Sequence, residues 1–432
     1  MAVKLLKPIN YRKIPSILDY NFEKSLLHLG VKDKFCIAAS GGPDSLSLII
    51  LANKFAQRNK LGMSVLTVDH GLRKESSEEA IWLGKVLKKM KIKHFVLKWN
   101  GKKPTSNIMD AARSKRYDLM LDKCHKLKVN YLLTAHHLDD QIENFFMRLV
   151  RGSGLKGLAS ISRSSRMKRI KIIRPFLDYQ KKSLIKILAK TNQKYIDDAS
   201  NKDSKYDRIR FRKLIGGFID EGLDKNRLNK LISNLNQVDK AINYSTKFSI
   251  IKTISQNKYG HILIKKSIFL SLPSEIQYRI LLFILKINSP QKKRIRSDSI
   301  LNLIDIFYSM DFKKSTLNKS LFINQSSYIL VVREIGRIFK DPIKNKNFVW
   351  CNNYKISMNI PIEDELKIGF ADNSFDMKNH DNIDKKFNNY LPAIWRKNQI
   401  ISIPLLDKRK KRIASCIPVK IKDYDEFKSL SN

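Results

Sequence analysis

The sequence is poor in cysteine and in long apolar runs. Its four cysteines are Cys36, Cys124, Cys351 and Cys416. They are too scattered to form a Cys-x-x-Cys pair or a zinc cluster, which favours a reducing compartment. No apolar run approaches the roughly 18 residues of a membrane span, and the first seven residues lack the apolar centre of a signal peptide. We therefore expect a cytoplasmic protein without a membrane-spanning segment.

Acidic residues are also scarce. The 432 residues include 40 Asp and Glu against 84 Lys and Arg, a formal net charge of +44. Such a surface carries a positive field that favours a polyanion such as nucleic acid. A general lysine bias is the alternative source of the surplus, because Lys, Ile and Asn are frequent throughout. The charge therefore supports a nucleic-acid partner without proving one.

The most informative stretch is a glycine-containing loop between a short apolar run, 35–39, and an apolar helical pattern. Its residues are Ser40, Gly41, Gly42, Pro43, Asp44 and Ser45. Two glycines let the backbone approach a ligand closely, and Pro43 suits the first position of a helix. The N–H groups at such a helix start form a site for phosphate or pyrophosphate. An ordinary strand–turn–helix junction is the alternative.

Two commoner nucleotide-binding loops do not fit this chain. A Walker loop needs a lysine that is missing after residues 40–45. The stretch 152–157 has the spacing Gly-x-Gly-x-x-Gly, but it follows a helical pattern instead of the strand that a dinucleotide site requires. Asp44 would repel phosphate unless a cation lay between them. The loop therefore predicts ATP together with a divalent metal, Mg²⁺ by default, held by Asp44.

Strand and helix patterns alternate over residues 20–200, which predicts a parallel sheet covered by helices. The predicted strands after the first are 63–68, 94–97 and 131–135, and 108–123 is a predicted helix. Ligands of such sheets bind beyond the carboxyl ends of the strands. The second predicted strand ends at Asp69. Ser76 and Glu79 then have the spacing of a capping box for the next helix.

A second informative stretch follows the strand 131–135. If a helix begins near Asp139, His136 lies just before it, and Asp140 and Glu143 project from one face. Two carboxylates and an imidazole at a strand end can hold a metal, position an amine or act as a general base. Helix-capping residues on a solvated face are the alternative.

Arginines form a third group of candidates. Arg113 and Arg116 lie on the predicted helix 108–123, and Arg208, Arg210 and Arg212 alternate further along the chain. Guanidinium groups can stabilise phosphate charge or bind RNA. A solvated basic linker is the alternative for 208–212.

Taken together, these motifs resemble the tRNA(Ile)-lysidine synthase family of PP-loop ATP pyrophosphatases. The matching stretches, in order, are 40–45, 68–73, Ala111–Arg113 with Arg116 and Tyr117, 134–141, 151–154 and 198–201. They cover about the first half of the chain. Asn144, Phe176 and Ala199 depart from residues common in the family, and none of these departures removes an ionisable group.

The resemblance implies an adenine nucleotide alpha hydrolase-like α/β fold and a two-step reaction. ATP adenylates the carbon-2 oxygen of the wobble cytidine in the CAU anticodon of tRNA(Ile), releasing pyrophosphate, and the amine of L-lysine then displaces AMP. The codon AUA is thereby read as isoleucine. By the same carry-over, Asp140 and Glu143 bind lysine, and His136 handles a proton. Arg113 and Arg208 face the adenylate or the transition state.

We expect three domains. They are a PP-loop catalytic domain, 1–214, a helical tRNA-contacting domain, 215–310, and a C-terminal α+β tRNA-recognition domain, 311–432. The sequence is compatible with a homodimer. Three alternative functions remain: a PP-loop tRNA thiolase, an amide-forming synthetase, and a basic RNA-binding protein with a vestigial loop. A thiolase with an iron–sulfur cluster needs a close set of cysteines, and a small-molecule synthetase gives no reason for the basic appendages.

Overall fold

The computed structural model describes residues 16–71, 75–101, 108–159, 161–196, 207–288, 295–334, 340–351, 353–371, 390–407, 413–424, 427 and 430. Leu72, Arg73 and the stretch 198–201, which belong to the matching motifs, lie outside this part of the chain. The basic runs 292–294 and 408–412, which the sequence offers as possible RNA contacts, also lie outside it. The chain divides into two units, Met1–Asp239 and Lys240–Asn432. The proposed division into three domains stays a prediction.

The first unit is built on one six-stranded sheet. Its strands are β1 (Phe35–Ala38), β2 (Met63–Asp69), β3 (Lys93–Lys98), β4 (Tyr131–Leu133), β5 (Ser164–Met167) and β6 (Ile170–Ile173). The order across the sheet is β3-β2-β1-β4-β6-β5, and only β5 runs antiparallel to its neighbour. The predicted parallel sheet is confirmed.

Helices cover both faces of this sheet. The described helices of this unit are α1 (Ser16–His28), α2 (Pro43–Arg58), α3 (Glu75–Lys89), α4 (Ile108–Lys126), α5 (Leu138–Leu149), α6 (Leu155–Leu158), α7 (Lys181–Thr191), α8 (Asp207–Asp220) and α9 (Lys225–Thr253), which contains the division between the units. Phe35 and Ile37 of β1 pack in a core with α1, α2, α3 and α7, whereas Cys36 packs with α4. Burial on both faces explains why the strands are apolar runs without strict alternation.

The strand order creates a crevice in the first unit. From β1 the sheet extends to β2 and β3 on one side and to β4 and β6 on the other. In open parallel sheets, ligands bind at such a reversal, beyond the carboxyl ends of the central strands. The loop 40–45 follows β1, and the stretch 134–137 follows β4. The topology thus brings the two informative stretches together.

The predicted capping box at Ser76 is wrong. Helix α3 begins at Glu75, so Ser76 lies inside its first turn. The Ser76 and Ser77 hydroxyls instead donate to Asp69, at 2.7 and 2.6 Å, and the backbone N–H of Gly71 donates to the same carboxylate at 3.0 Å. These bonds lower the pKa of Asp69, that from Ser77 most, and they join the end of β2 to the start of α3.

The second unit combines helices with three sheets. Its strands are β7 (Ile254–Gln256), β8 (Ile262–Lys265), β9 (Lys314–Leu317), β10 (Ser320–Asn324), β11 (Tyr328–Arg333), β12 (Asp341–Pro342), β13 (Asn347–Trp350), β14 (Tyr354–Met358), β15 (Leu366–Phe370), β16 (Pro392–Arg396), β17 (Gln399–Ser402) and β18 (Ala414–Pro418). Its further helices are α10 (Lys266–Leu270), α11 (Ser274–Asn288) and α12 (Ser297–Tyr308). The sheet orders are β7-β8-β11-β10-β9, β12-β15-β16-β17 and β13-β14-β18.

The helical region predicted at 215–310 needs two corrections. It contains β7 and β8, which pair with each other and, through β8, with β11. Both strands are too short for their alternation to stand out in the sequence. The apolar pattern over 268–287 predicts one helix, but the structure has two, α10 and α11, because Pro273 cannot continue a helix. The apolar runs 321–323 and 328–332 predict a hairpin, and the antiparallel pairing of β10 with β11 confirms it. None of the described helices is long and apolar enough to cross a membrane.

Candidate active site

The loop after β1 is shaped by its glycines and closed by a serine. Gly41 has a φ of +87°, which favours glycine, and a Cβ there would lie 2.6 Å from Cδ1 of Ile196. Gly42 is the N-cap of α2, and Pro43 is the first helical residue. The hydroxyl of Ser45 donates to the Gly42 carbonyl at 2.9 Å and accepts from the Gly41 N–H at 3.2 Å. The first-turn N–H groups of α2 have no partners within the helix and suit an anion.

A cleft of about 470 Å³ opens beside this loop, beyond the ends of β1, β2 and β4. The predicted site residues that line it are Ser40, Gly42, Pro43, Asp44, Ser45, Arg113, His136, Asp140 and Arg208. Gly41 and Glu143 are buried and do not line the cleft. The structure therefore brings almost all of the predicted side chains into one site.

Asp44 is the carboxylate nearest the loop. Its Oδ2 lies 3.5 Å from Nε2 of His137 and 4.0 Å from Nζ of Lys181. Its Oδ1 is buried and has no hydrogen-bond partner among the described residues. These residues contain no group of three His, Cys, Asp or Glu that could hold a metal. A cation here would thus take one protein carboxylate and oxygens of a phosphate ligand and water, a donor set that suits Mg²⁺.

His137 caps α5 and was not predicted as a site residue. Its Nδ1 accepts from the backbone N–H of Asp140 at 3.3 Å, while Asp140 Oδ2 accepts from the His137 N–H at 3.0 Å. Burial lowers the pKa of His137. The hydrogen bond to Asp44 and the charges of the nearby carboxylates raise it by more than burial lowers it, so the pKa lies above its usual value. The carboxylates favour a doubly protonated imidazole. The capping bond opposes it, because Nδ1 must stay unprotonated to accept from the Asp140 N–H. With Nδ1 as acceptor, the ring proton on Nε2 points towards Asp44.

His136 faces the cleft in the opposite electrostatic setting. Burial lowers its pKa to about 4, and the charges of Arg174, Arg113 and Arg208 add to this effect against the opposing charge of Asp140. The Nδ1 atom lies 2.9 Å from the hydroxyl of Thr134. Its imidazole is therefore neutral near pH 7 and able to accept a proton or a hydrogen bond.

The arginines gather around His136. Arg113 lies over the ring of Tyr117, with 5.6 Å from Cζ to the ring centre, and Arg116 lines the same cleft. Arg174 donates to the Ser162 carbonyl at 2.8 Å. This side of the cleft is rich in cationic groups and suits an anionic substrate.

The acidic groups of α5 are held by basic residues from elsewhere in the first unit. Arg212 donates to Glu143 Oε1 at 2.7 Å, and Glu143 Oε2 is buried without a hydrogen-bond partner among the described residues. Lys225 donates to Asp139 Oδ1 at 2.5 Å. Burial raises the pKa of Asp139. The bonds from Lys225 and from the backbone N–H of Lys181 outweigh this effect, so the pKa lies below its usual value.

The alternating arginines 208–212 lie on a helix, α8. At i, i+4 spacing, Arg208 and Arg212 share a face directed at the site, whereas Arg210 pairs with Asp207 at the surface. Helical spacing of the arginines was the signal that could have identified Arg212. No local pattern marked Lys181 or Lys225, because their partners are far away in sequence.

The parallel sheet, the loop after its first strand and the cleft beside that loop are those of a nucleotide-binding PP-loop enzyme. A family model described as a PP-loop domain matches residues 17–217. The tRNA(Ile)-lysidine synthase of Orientia tsutsugamushi (strain Boryong) is 32% identical over 352 residues, 78% of this chain and 79% of that protein. The tRNA(Ile)-lysidine synthase of Wolbachia pipientis wMel is 33% identical over 76% of this chain and 77% of that protein. That of Rickettsia typhi (strain ATCC VR-144 / Wilmington) is 30% identical, covering 89% and 92%.

The chain belongs to the tRNA(Ile)-lysidine synthase family. It is accordingly an ATP-dependent ligase of the PP-loop class, and the resemblance found in its motifs is confirmed.

Proposed function

We propose that this chain ligates L-lysine to carbon 2 of the wobble cytidine in the CAU anticodon of tRNA(Ile), so that AUA is read as isoleucine. An anion-binding loop, a neutral imidazole and the carboxylates of Asp44 and Asp140 meet at one cleft in a chain with these relatives, and this convergence carries the proposal. The chain has 84 basic and 40 acidic residues, and this positive surplus fits an RNA substrate. We place the reaction in the cytoplasm.

ATP lies with its pyrophosphate end against the loop 40–45. The first-turn amides of α2 bind phosphate oxygens, and the turn at Gly41 lets them approach. Asp44, whose Oδ1 has no partner among the described residues, would hold Mg²⁺ at this end of the cleft. The metal, when bound, neutralises phosphate charge.

In the first step the carbon-2 oxygen of the cytidine attacks the α-phosphorus, and the bond to pyrophosphate breaks. Negative charge grows on the phosphate oxygens during this step. Arg113 and Arg208, which line the cleft beside His136, stabilise that charge. The product is the adenylated cytidine.

In the second step the lysine amine attacks carbon 2, and AMP leaves with the former carbonyl oxygen. Asp140 lines the cleft, keeps Oδ1 without a described partner and receives the ammonium group before the attack. We assign Glu143 to the same lysine site, as a buried carboxylate that Arg212 holds through Oε1. The amine must lose a proton to react. We assign the handling of that proton to His136, which is neutral near pH 7 and lies close enough to Asp140 to feel its charge.

The reaction is tested with labelled lysine, ATP and tRNA transcripts. We expect lysine to enter tRNA(Ile) only with ATP present, and AMP and pyrophosphate to form in equal amounts. A transcript with uridine at the wobble position is the matched control and should accept no lysine. RNA binding without ATP-dependent lysine transfer would instead favour a vestigial loop.

The lysine site is tested with Asp140→Asn. We expect KM for lysine to rise about tenfold, because one ammonium–carboxylate contact is lost, while the affinity for ATP changes less than twofold. Steady-state kinetics with lysine varied at saturating tRNA, and ATP titration without lysine, measure the two effects. An unchanged KM for lysine would contradict this placement.

A further inference from the structure

Lys181 is a cleft residue without a role in the reaction described above. It is the first residue of α7 and lines the cleft with Asp44. Its Nζ lies 4.0 Å from Asp44 Oδ2, and its side chain is 35% exposed. This separation exceeds a hydrogen bond. The ammonium therefore lies beside the anion-binding loop with its donors available to a ligand.

The backbone of Lys181 is fixed more firmly than its side chain. Its N–H donates to Asp139 Oδ2 at 2.8 Å. Helix α7 also packs against α2, the helix that begins in the loop, and the buried Ser47 hydroxyl donates to the Leu184 carbonyl at 2.9 Å. The anchor of the side chain thus has a set position relative to the loop, while the four-carbon stem allows the ammonium to follow a ligand.

The loop itself lacks a cation. Its amides carry only partial charges, and the lysine that reaches the outer phosphates in a Walker loop is missing from this sequence. A bound triphosphate carries close to four negative charges. One divalent ion neutralises about half of them, so a further cation at this end of the cleft strengthens binding.

We propose that Lys181 supplies this cation and binds the pyrophosphate end of ATP, and then the released pyrophosphate. The inference rests on the proposed position of ATP against the loop. The arginines around His136 lie by the other informative stretch, after β4, and serve the α-phosphate end. Lys181 is the described lysine whose ammonium lies within 4.0 Å of Asp44.

The proposal is tested with Lys181→Gln, with Lys182→Gln as the matched control. Lys182 is the next residue of α7, is exposed and does not line the cleft. Calorimetric titration of the full chain with inorganic pyrophosphate, ATP and AMP, each with Mg²⁺, gives three dissociation constants per variant. Loss of one charge-assisted contact should weaken pyrophosphate and ATP binding about tenfold in Lys181→Gln and leave AMP within twofold.

Lys182→Gln should leave all three constants unchanged, and Lys181→Arg should restore most of the pyrophosphate affinity. Equal losses for AMP and pyrophosphate, or no loss for pyrophosphate, would overturn the role of Lys181. Asp44→Asn, titrated in parallel, separates the two levels of inference. If it weakens ATP binding while Lys181→Gln does not, only the role of Lys181 fails. If wild-type chain binds neither ATP nor pyrophosphate, both proposals fail.

Discussion

Replacing Gly41 by alanine should destabilise the first unit through two separable effects. The φ of +87° costs an L-residue about 1–2 kcal/mol. The new Cβ would also lie 2.6 Å from Cδ1 of Ile196, which forces that side chain out of its rotamer at about 0.5–1.5 kcal/mol. We expect a total of about 1.5–3.5 kcal/mol in the free energy of unfolding, measured by urea denaturation of the full chain.

Two comparison variants separate these effects. Gly222 has a φ of +97°, and a methyl group added there would meet no atom within 4 Å, so Gly222→Ala should cost only the backbone part, about 1–2 kcal/mol. Ile196→Val removes Cδ1 and leaves Cγ1 at 3.5 Å, an ordinary contact. With valine at position 196, Gly41→Ala should lower the free energy of unfolding by no more than Gly222→Ala does. If Gly41→Ala lowers it equally with isoleucine and with valine at position 196, the steric argument is refuted.

Two further predictions concern buried charge. Arg212→Met should destabilise the chain by about 3 kcal/mol, because it leaves the Glu143 carboxylate, which is 3% exposed, without its partner. Glu143→Gln should cost only about 1 kcal/mol, because the guanidinium that it leaves behind is 46% exposed. Equal urea midpoints for the two variants at pH 7 would contradict this. The pKa of His136 is about 4 in the folded chain and about 6.5 in the unfolded chain, so on acidification the unfolded chain takes up the proton at a higher pH. The free energy of unfolding should therefore fall by up to about 3 kcal/mol as the pH falls from 6.5 to 4. His136→Asn should lose that part of the pH dependence, and an identical slope in both proteins would contradict it.

Features set by neighbouring residues could be predicted from the sequence. The turn at Gly41 follows from a short apolar run, two glycines and a proline in succession. The parallel sheet follows from alternating strand and helix patterns, and its topology brings the ends of β1 and β4 together without further information. The loop and His136 are therefore close in space, as the motifs predicted.

Features set by distant partners could not be predicted. Ser76 has the spacing of a capping residue, but the carboxylate of Asp69 competes for its hydroxyl, and only the packing of β2 against α3 brings the two together. The ion pair of Asp139 with Lys225 joins residues 86 positions apart. Lys181 reaches Asp44 for the same reason, since α7 packs on α2.

The carboxylates at the start of α5 differ in how many oxygens the fold leaves to a ligand. Asp139 has both oxygens bonded, one to Lys225 and one to the backbone of Lys181. Asp140 uses Oδ2 for the cap, and Glu143 uses Oε1 for Arg212. Adjacent residues of the same type therefore have different capacities, because each bond already accepted takes up one of the roughly four lone-pair sites of a carboxylate. By this reasoning Asp139 maintains the geometry of the site, while Asp140 and Glu143 remain our proposed contacts for the incoming amine.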